Sequence, residues 1–175
     1  MTDPDLRALI RDIPDFPSAG ILFKDITPLL LDHAAMRHAV GSLAEWARPR
    51  EVDFVVAAEA RGFILGAAIA LELDAGFVPA RKPGKLPSET VSAEYILEYG
   101  VDALEMHADA LADGARVLIH DDLLATGGTA RALAELVESL GGSIAGFAFL
   151  VELEFLEGRR RLEGYDVHAL ISYGD

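Results

Sequence analysis

The sequence predicts an α/β protein with a doubly wound, mostly parallel sheet flanked by helices. Short runs made almost entirely of apolar residues recur along the chain, as expected for strands that are buried on both faces. They span residues 54–58, 77–80, 117–119 and 144–153. Segments with a helical spacing of apolar residues separate several of these runs, and this alternation is typical of a doubly wound sheet. With 175 residues and 51% hydrophobic content, the chain should form a single domain with a sizeable core.

The charge balance restricts the partners that the protein can have. Fifteen basic and 29 acidic residues give a formal net charge of -14, and a chain this acidic is not expected to bind nucleic acid. The absence of cysteine excludes disulfides and a thiolate nucleophile. No stretch has the pattern of a secretion signal or the length of a membrane span, so we expect a cytoplasmic protein without a membrane partner.

The first 32 residues are predicted to form a small N-terminal hood. Apolar residues at helical spacing predict a short helix over residues 4–11. Residues 21–28 favour an edge strand or a loop over the core, with Pro28 keeping Thr27 out of the helical region. The core, residues 33–175, then begins with a helix from residue 33 to about residue 48 that Asp32 should cap.

The turn after the strand 54–58 carries a charged pair at the expected ligand-binding edge of the sheet. It consists of Glu59, Ala60, Arg61 and Gly62, and a helix over residues 63–73 follows. Arg61 and the N-terminus of that helix would face the same space and together attract an anion. The alternative is that Arg61 only forms a salt bridge with Glu59.

Three cations follow the strand 77–80 within five residues of this acidic chain. They are Arg81, Lys82 and Lys85, and they indicate an anion to be neutralised. Prolines and a glycine predict a loop here, before a returning strand at 90–95, a strand at 102–106 and a short helix at 107–111. A long loop that closes over a reaction centre excludes water from it, whereas the alternative is a solvated basic loop without a ligand.

The stretch 116–129 combines a strand, two adjacent carboxylates and a glycine-rich loop. Asp121 and Asp122 follow the apolar run, at the carboxyl end where open α/β sheets bind ligands. The loop before the next helix can turn its backbone N–H groups towards a phosphate. It consists of Ala125, Thr126, Gly127, Gly128 and Thr129. The loop lacks the lysine of a Walker motif, and carboxylates beside a phosphate site suit the hydroxyls of a phosphorylated sugar.

The remaining features are predicted to be structural. His120 should be a core or rim histidine rather than a catalytic one. Residues 154–162, which contain three arginines, should form a solvated turn, and residues 167–173 should form the last, edge strand.

Four segments resemble, in the same order along the chain, the motifs of type I phosphoribosyltransferases, and in particular of the adenine phosphoribosyltransferases. VLIHDDLLATGGTA is similar to the signature that binds 5-phosphoribosyl 1-pyrophosphate (PRPP), with His120 in place of the usual aliphatic residue. FPSAGILFKDITPLL resembles the base-binding segment, and residues 59–62 resemble the pyrophosphate loop, with Ala60 in place of serine. RKPGKLP followed by AEYILEYG resembles the flexible catalytic loop, at about residues 81–99. The resemblance covers nearly the whole chain and implies the type I phosphoribosyltransferase fold.

This resemblance implies a role for each matching residue. Asp121 and Asp122 would hold the ribose hydroxyls of PRPP, and the loop 125–129 would hold its 5′-phosphate. The pyrophosphate group would be bound by Glu59, Ala60, Arg61, Arg81, Lys82 and Lys85. Adenine would contact Leu22, Phe23, Lys24 and Leu124, with the backbone of Leu22 and Lys24 reading the edge of the purine. Glu98 would act in catalysis together with Arg61 and Lys85, and Tyr99 would line the closed lid; the alternative for Glu98 is an exposed acid at a strand end.

The implied reaction converts adenine and PRPP to AMP and pyrophosphate in purine salvage. Mg²⁺ is implied as a cofactor held by PRPP and water, with no direct protein ligand. Family members are dimers, which implies a homodimer in which Arg81 reaches the partner site. Two alternatives stay open: a xanthine or hypoxanthine-guanine phosphoribosyltransferase, and a purine-responsive regulator that binds PRPP without turnover.

Overall fold

A five-stranded parallel sheet forms the centre of the molecule. The computed structural model describes residues 4–97 and 100–174. The strands are β1 (Arg11–Pro14), β2 (Leu22–Asp25), β3 (Phe54–Ala58), β4 (Gly76–Ala80), β5 (Thr90–Leu97), β6 (Gly100–His107), β7 (Arg116–Leu124), β8 (Ser143–Leu153) and β9 (Val167–Tyr173). The α-helices are α1 (Thr27–Leu31), α2 (His33–Ala47), α3 (Gly62–Glu72) and α4 (Gly128–Ser139). The central sheet has the order β4-β3-β7-β8-β9 with every neighbouring pair parallel, which confirms the predicted fold class.

Helices cover both faces of this sheet, and β7 shows why its strands must be apolar at every position. Leu118 packs in the cluster that contains buried side chains of α2 and α3. Its neighbours Val117 and Ile119 pack in the cluster that contains those of α4. Successive side chains of a strand point to opposite faces, so a strand with helices on both sides needs apolar residues throughout its centre.

The N-terminal hood is a hairpin of β1 and β2 rather than a helix followed by a strand. The helix predicted for residues 4–11 is wrong, because only Arg7–Leu9 forms a 3₁₀ turn and β1 begins at Arg11. A helix of two turns is unstable alone, whereas antiparallel pairing with β2 satisfies the backbone of residues 11–14. β2 itself confirms the predicted extended segment.

The start of α1 contradicts the expected effect of Pro28. The helix includes Thr27 and has Pro28 in its first turn, where a missing N–H costs nothing. Asp25 stabilises this start, because its Oδ1 accepts a hydrogen bond of 2.9 Å from the backbone N–H of Thr27. The predicted cap of α2 is confirmed: Asp32 Oδ1 accepts hydrogen bonds from the backbone N–H groups of residues 34 and 35 at 2.9 and 3.0 Å.

β5 and β6 form a separate antiparallel hairpin that begins beside the end of β4. Of the predicted loop 81–99, residues 81–89 are a loop and residues 90–97 belong to β5. Arg81 and Glu105 exchange backbone hydrogen bonds of 2.9 and 2.7 Å, which attach the base of the hairpin to the sheet. The helix predicted for residues 107–111 is wrong, since β6 extends to His107 and the N–H of Ala108 still bonds across the hairpin to the carbonyl of Glu89 at 2.9 Å.

Residues 154–162 are mostly exposed, as predicted, but they are not a simple turn. They form two 3₁₀ helices, Glu154–Leu156 and Gly158–Leu162, and both Gly158 and Leu162 are buried. β9 occupies the sheet edge, as predicted. Within the described ranges, no helix combines the length and the apolar character needed to cross a membrane.

Candidate active site

Asp121 and Asp122 lie side by side near the carboxyl end of β7, which continues through both to Leu124. Asp122 is 4% exposed, and its Oδ2 lies 2.7 Å from Nε of Arg61. Oδ1 of Asp121 accepts a hydrogen bond of 2.9 Å from the backbone N–H of Asp122. Burial, and then the neighbouring charge of Asp122, raise the pKa of Asp121 well above its usual range. A ligand that donates hydrogen bonds to this pair would offset the cost of holding the two carboxylates together.

The glycine-rich loop ends at the N-terminus of α4. Gly127 has a φ of 81°, a left-handed conformation that favours glycine, and α4 begins at the next residue. A cavity of about 70 Å³ lies at the loop, and all five predicted phosphate-binding residues line it together with Asp121, Leu123, Leu124, Ala130 and Phe149. The free N–H groups and partial positive charge of the helix N-terminus favour an anion here.

A larger cavity of about 430 Å³ shares Asp121 and Thr129 with the first. Four of the residues predicted to bind pyrophosphate line it, namely Glu59, Ala60, Arg61 and Lys82. Both carboxylates of the acid pair also line this cavity. The structure therefore brings the predicted phosphate loop, acid pair and pyrophosphate loop together around one continuous region.

The cations of the larger cavity are paired with carboxylates. Oε1 of Glu59 lies 3.1 Å from Nε of Arg81 and accepts a hydrogen bond of 2.8 Å from the backbone N–H of Lys82, the bond that chiefly lowers the pKa of Glu59. Nζ of Lys82 donates to Oδ2 of Asp102 at 3.0 Å, which raises the pKa of Lys82. The hydroxyl of Tyr95 donates to the same oxygen at 3.1 Å. A polyphosphate entering the cavity would compete with these carboxylates for the cations.

The structure places some of the remaining predicted residues near the larger cavity and adds two that were not predicted. Lys85 lies in the same loop, where its carbonyl accepts a hydrogen bond of 3.3 Å from Nη1 of Arg81. Tyr95 and Asp102 were not singled out in the sequence, because nothing in their spacing distinguishes them from other strand residues. Glu98 and Tyr99 lie outside the described residues, so their predicted roles stay predictions.

The hood strand β2 places Phe23 next to Arg61, the partner of the acid pair. Cζ of Arg61, whose Nε contacts Asp122, lies 4.8 Å from the centroid of the Phe23 ring. Leu22 and Lys24 line an adjoining cavity of about 450 Å³, which also borders Thr126 of the phosphate loop. A planar apolar ligand at this position would lie between the hood and the carboxyl ends of the central strands.

The side chain of Lys24 is already engaged, which leaves its backbone for ligand contact. Its Nζ lies 2.7 Å from Oδ1 of Asp12 and 3.9 Å from the centroid of the Tyr173 ring. Among the described residues β2 pairs only with β1, with Pro14 opposite Leu22. Proline has no N–H to donate, and the other edge of β2 is unpaired within that part of the chain. Backbone groups of the hood strand are therefore available to a ligand.

The placement of Leu124 does not support its predicted contact with the base. Leu124 is 1% exposed and packs in the cluster that contains α4. Leu123 is partly buried and packs in the other cluster, which also includes hood residues such as Leu6 and Leu9. Because neighbouring side chains of a strand point to opposite faces, the structure favours Leu123 as the leucine on the side of the hood.

His120 is a core residue, as predicted. It is 0% exposed, and its Nδ1 lies 2.8 Å from the carbonyl oxygen of Ala148. This geometry places the proton on Nδ1, which donates to the carbonyl, and leaves Nε2 without a hydrogen-bond partner. Burial lowers the pKa of His120 to about 4, so the ring is neutral at physiological pH.

The described residues contain no group of three or more histidine, aspartate or glutamate side chains close enough to hold a metal ion. Two adjacent carboxylates beside a cavity do fit a divalent cation that is bound mainly by a polyphosphate ligand and water. A magnesium ion could therefore accompany such a ligand, with at most these protein oxygens nearby.

Comparisons with known proteins agree with this geometry. Residues 29–169 match the model of the phosphoribosyl transferase domain family. The chain is 60% identical to the adenine phosphoribosyltransferase of Thermotoga maritima over 97% of this chain and 98% of that protein. The crystal structure of adenine phosphoribosyltransferase from Thermoanaerobacter pseudethanolicus superposes with a TM-score of 0.94 at 56% identity, over 97% of this chain and 98% of that one. The Saccharomyces cerevisiae enzyme, solved with adenine and an imino-altritol bisphosphate, superposes with a TM-score of 0.91 at 39% identity, over 95% and 96% of the two chains.

Proposed function

The chain belongs to the adenine phosphoribosyltransferase family, and we propose on this basis that it converts adenine and PRPP to AMP and pyrophosphate. The observation that carries this proposal is the position of the acid pair, which lines the larger cavity and, through Asp121, also borders the cavity at the phosphate loop. A single substrate with a 5′-phosphate, two ribose hydroxyls and a pyrophosphate at C1 would match all three features.

The acid pair and the phosphate loop orient the ribose. Each carboxylate of Asp121 and Asp122 accepts a hydrogen bond from a ribose hydroxyl, while backbone N–H groups of the loop bind the 5′-phosphate. Fixing both ends of the sugar places C1 between the incoming base and the leaving group. Such positioning removes much of the entropic cost of the reaction.

The hood holds the purine. The base stacks between Phe23 and Leu123, and the free backbone edge of β2 at Leu22 and Lys24 reads its hydrogen-bonding pattern. A strand edge fixes its donors and acceptors rigidly, so it can reject a base with the opposite pattern at the 6 position. The engaged side chain of Lys24 supports a backbone role for this residue.

The larger cavity accepts the leaving group. N9 of adenine forms a bond to C1 as the bond from C1 to the pyrophosphate oxygen breaks, and the electron pair leaves with pyrophosphate. Backbone groups of residues 59–61 and the cations of Arg61, Arg81, Lys82 and Lys85 stabilise that charge. Mg²⁺ bound to the pyrophosphate and water would supply further neutralisation there.

We expect Glu98 to act on the base, and a substitution series can test this. N9 of adenine forms the bond to C1 while its proton passes to water or to the leaving pyrophosphate, and an acid beside N7 can donate a hydrogen bond that favours this loss. Glu98→Gln retains a donor and should lower the single-turnover rate by about 10²-fold or less, whereas Glu98→Leu retains none and should lower it further. Both variants should bind PRPP like the wild type in a titration. A Glu98→Leu variant as fast as the wild type would show that Glu98 is only a strand-end acid.

A direct assay tests the proposed function as a whole. Purified protein is incubated with PRPP and adenine, with Mg²⁺ or with excess chelator, and nucleotide and pyrophosphate are quantified by chromatography. We expect AMP and pyrophosphate in equal amounts, and a strong decrease when Mg²⁺ is removed. PRPP binding without any product would instead favour the regulator that the sequence left open.

We further propose that the protein is a cytoplasmic homodimer. Two large apolar side chains, Ile64 and Leu71, are exposed on α3 with 41% and 81% accessibility, and their spacing of seven residues puts them on one face that a second copy could cover. In the single chain Arg81 contacts Glu59 of its own site, so reaching a partner site would require it to exchange this contact. A cytoplasmic location suits a substrate too highly charged to cross membranes.

A further inference from the structure

The phosphate loop packs backbone against backbone on the second 3₁₀ helix of residues 154–162. Gly158, the first residue of that helix, is buried, and a Cβ added there would overlap the carbonyl oxygen of Ala125. A Cβ added at Gly127 would lie 2.5 Å from the carbonyl oxygen of Gly158. Only glycine at both positions permits this approach, so Gly158 limits how the loop can be placed.

Arg159 connects this contact to the central sheet. Its Nε and Nη2 donate to the two carboxylate oxygens of Glu152, both at 2.7 Å, and its Nη1 donates to the carbonyl of Val167 at 2.9 Å. Glu152 is 3% exposed and lies opposite Leu124, the residue before the phosphate loop, in the pairing of β7 and β8. A two-point pair with a buried carboxylate fixes orientation as well as distance, so Gly158 is held relative to the strand from which the loop emerges.

We propose that Glu152, Arg159 and Gly158 are positioning residues that hold the loop 125–129 in the geometry that binds the 5′-phosphate of PRPP. None of these three residues is among those that line the cavity at the loop, so they act through the loop backbone. The proposal rests on the proposed function, because that function assigns the 5′-phosphate to this loop.

The chemistry of the loop explains why it needs such support. Its ligating groups are mainly backbone N–H groups, which can be aimed only by fixing the backbone itself. Hydrogen bonds weaken steeply with angle, so a small displacement of the loop weakens several of them together. Rigid contacts with Gly158 and Arg159 behind the loop keep these N–H groups aligned before the ligand binds.

Gly158→Ala tests the proposal, with ribose 5-phosphate and pyrophosphate as separate probes. The added methyl group should displace the Ala125 carbonyl, and we expect the Kd for ribose 5-phosphate and the KM for PRPP to rise about tenfold. The Kd for pyrophosphate should not change, since Glu59, Arg61 and Lys82 line the other cavity and are not displaced. Gly41→Ala in α2 is the matched control, because a Cβ there meets nothing within 4 Å.

Arg159→Lys provides a second variant in case Gly158→Ala does not fold. The Arg159 side chain is 48% exposed, so the substitution should be tolerated. Lysine keeps the positive charge but cannot hold both carboxylate oxygens of Glu152 in the same fixed geometry. We expect the Kd for ribose 5-phosphate and the KM for PRPP to rise less than in Gly158→Ala. Folded variants that bind ribose 5-phosphate as tightly as the wild type, even with a lower Tm, would overturn the proposal and leave these residues a purely structural role. Wild-type protein that fails to bind ribose 5-phosphate would contradict the proposed function instead.

Discussion

Asp121→Asn combined with Asp122→Asn should weaken the binding of PRPP by about 10²-fold. Each substitution replaces a charge-assisted hydrogen bond to a ribose hydroxyl with a neutral one, which contributes about 1–1.5 kcal/mol less. The double variant also leaves Arg61 without the carboxylate that lies 2.7 Å from its Nε. Affinity is measured by calorimetric titration with PRPP, and turnover with adenine should fall at least as much.

The matched control replaces two exposed carboxylates elsewhere. Asp109→Asn with Asp113→Asn changes the net charge equally, at exposed positions in the segment between β6 and β7. This control should bind PRPP like the wild type, which separates a local effect from the change in overall charge. Unchanged PRPP affinity in the Asp121 and Asp122 double variant would refute the central assignment.

The single variant Asp121→Asn should be more thermostable than the wild type at pH 8. A carboxyl whose pKa is raised by folding favours the native state below its unfolded pKa, and that contribution is lost as the pH rises through the folded pKa. The amide removes a partly buried charge and its repulsion with Asp122, but its oxygen can still accept the backbone bond. We expect Tm to rise by a few degrees, which corresponds to ~1 kcal/mol in the free energy of unfolding. This gain should disappear near pH 4. A lower Tm at pH 8 would mean that the pair is not under electrostatic strain.

Adenine should be used more efficiently than hypoxanthine by about 10⁴-fold in kcat/KM. A site that pairs fixed backbone groups with the 6-amino group leaves those groups unpaired when the base carries an oxo group there, and such mismatches discriminate by about 10⁴ to 10⁵-fold. The rigid edge of β2 is suited to this readout, because its backbone cannot rotate as a side chain amide can. The ratio is measured by competing the two bases for limiting PRPP and quantifying both nucleotides.

Unsubstituted purine is a useful third base in the same competition. It lacks the 6-amino donor but presents no oxo group, so its kcat/KM should lie between those of adenine and hypoxanthine. This order would indicate that discrimination includes rejection of the oxo group as well as recognition of the amino group. Comparable kcat/KM values for adenine and hypoxanthine would contradict the proposed base specificity and indicate a phosphoribosyltransferase for 6-oxo purines.

The positions of the central strands and of the main ligand loops follow from local features of the sequence. Residues 54–58 and the run 117–119 are apolar at every position, and only strands covered on both faces require this. Gly127 and the hydroxyls beside it lie between such a strand and a helix, so their role as an anion loop can be inferred without coordinates. The same local information predicted that His120 belongs to the core.

Local patterns failed where a distant partner decides the conformation. Residues 11–14 form a strand because they pair with β2. The spacing of apolar residues near Leu9 and Ile10 does not predict this pairing. Residues 107–111 are not helical because β5 extends the hairpin to His107. Arg159 looked like part of a solvated turn because its partner, Glu152, belongs to the end of β8.

The sequence by itself therefore determined the fold class and the family motifs, and it supplied most of the residues that we propose for the site, because apolar periodicity and short motifs are properties of neighbouring residues. Only the tertiary structure decided how those residues are paired: Arg61 with Asp122, Glu59 with Arg81, and Gly158 against the phosphate loop. It also favoured Leu123 over Leu124 on the hood side, since which face of a strand meets the hood depends on packing. These contacts join residues that are remote in sequence, and their geometry depends on how sheet, hood and hairpin are placed in space.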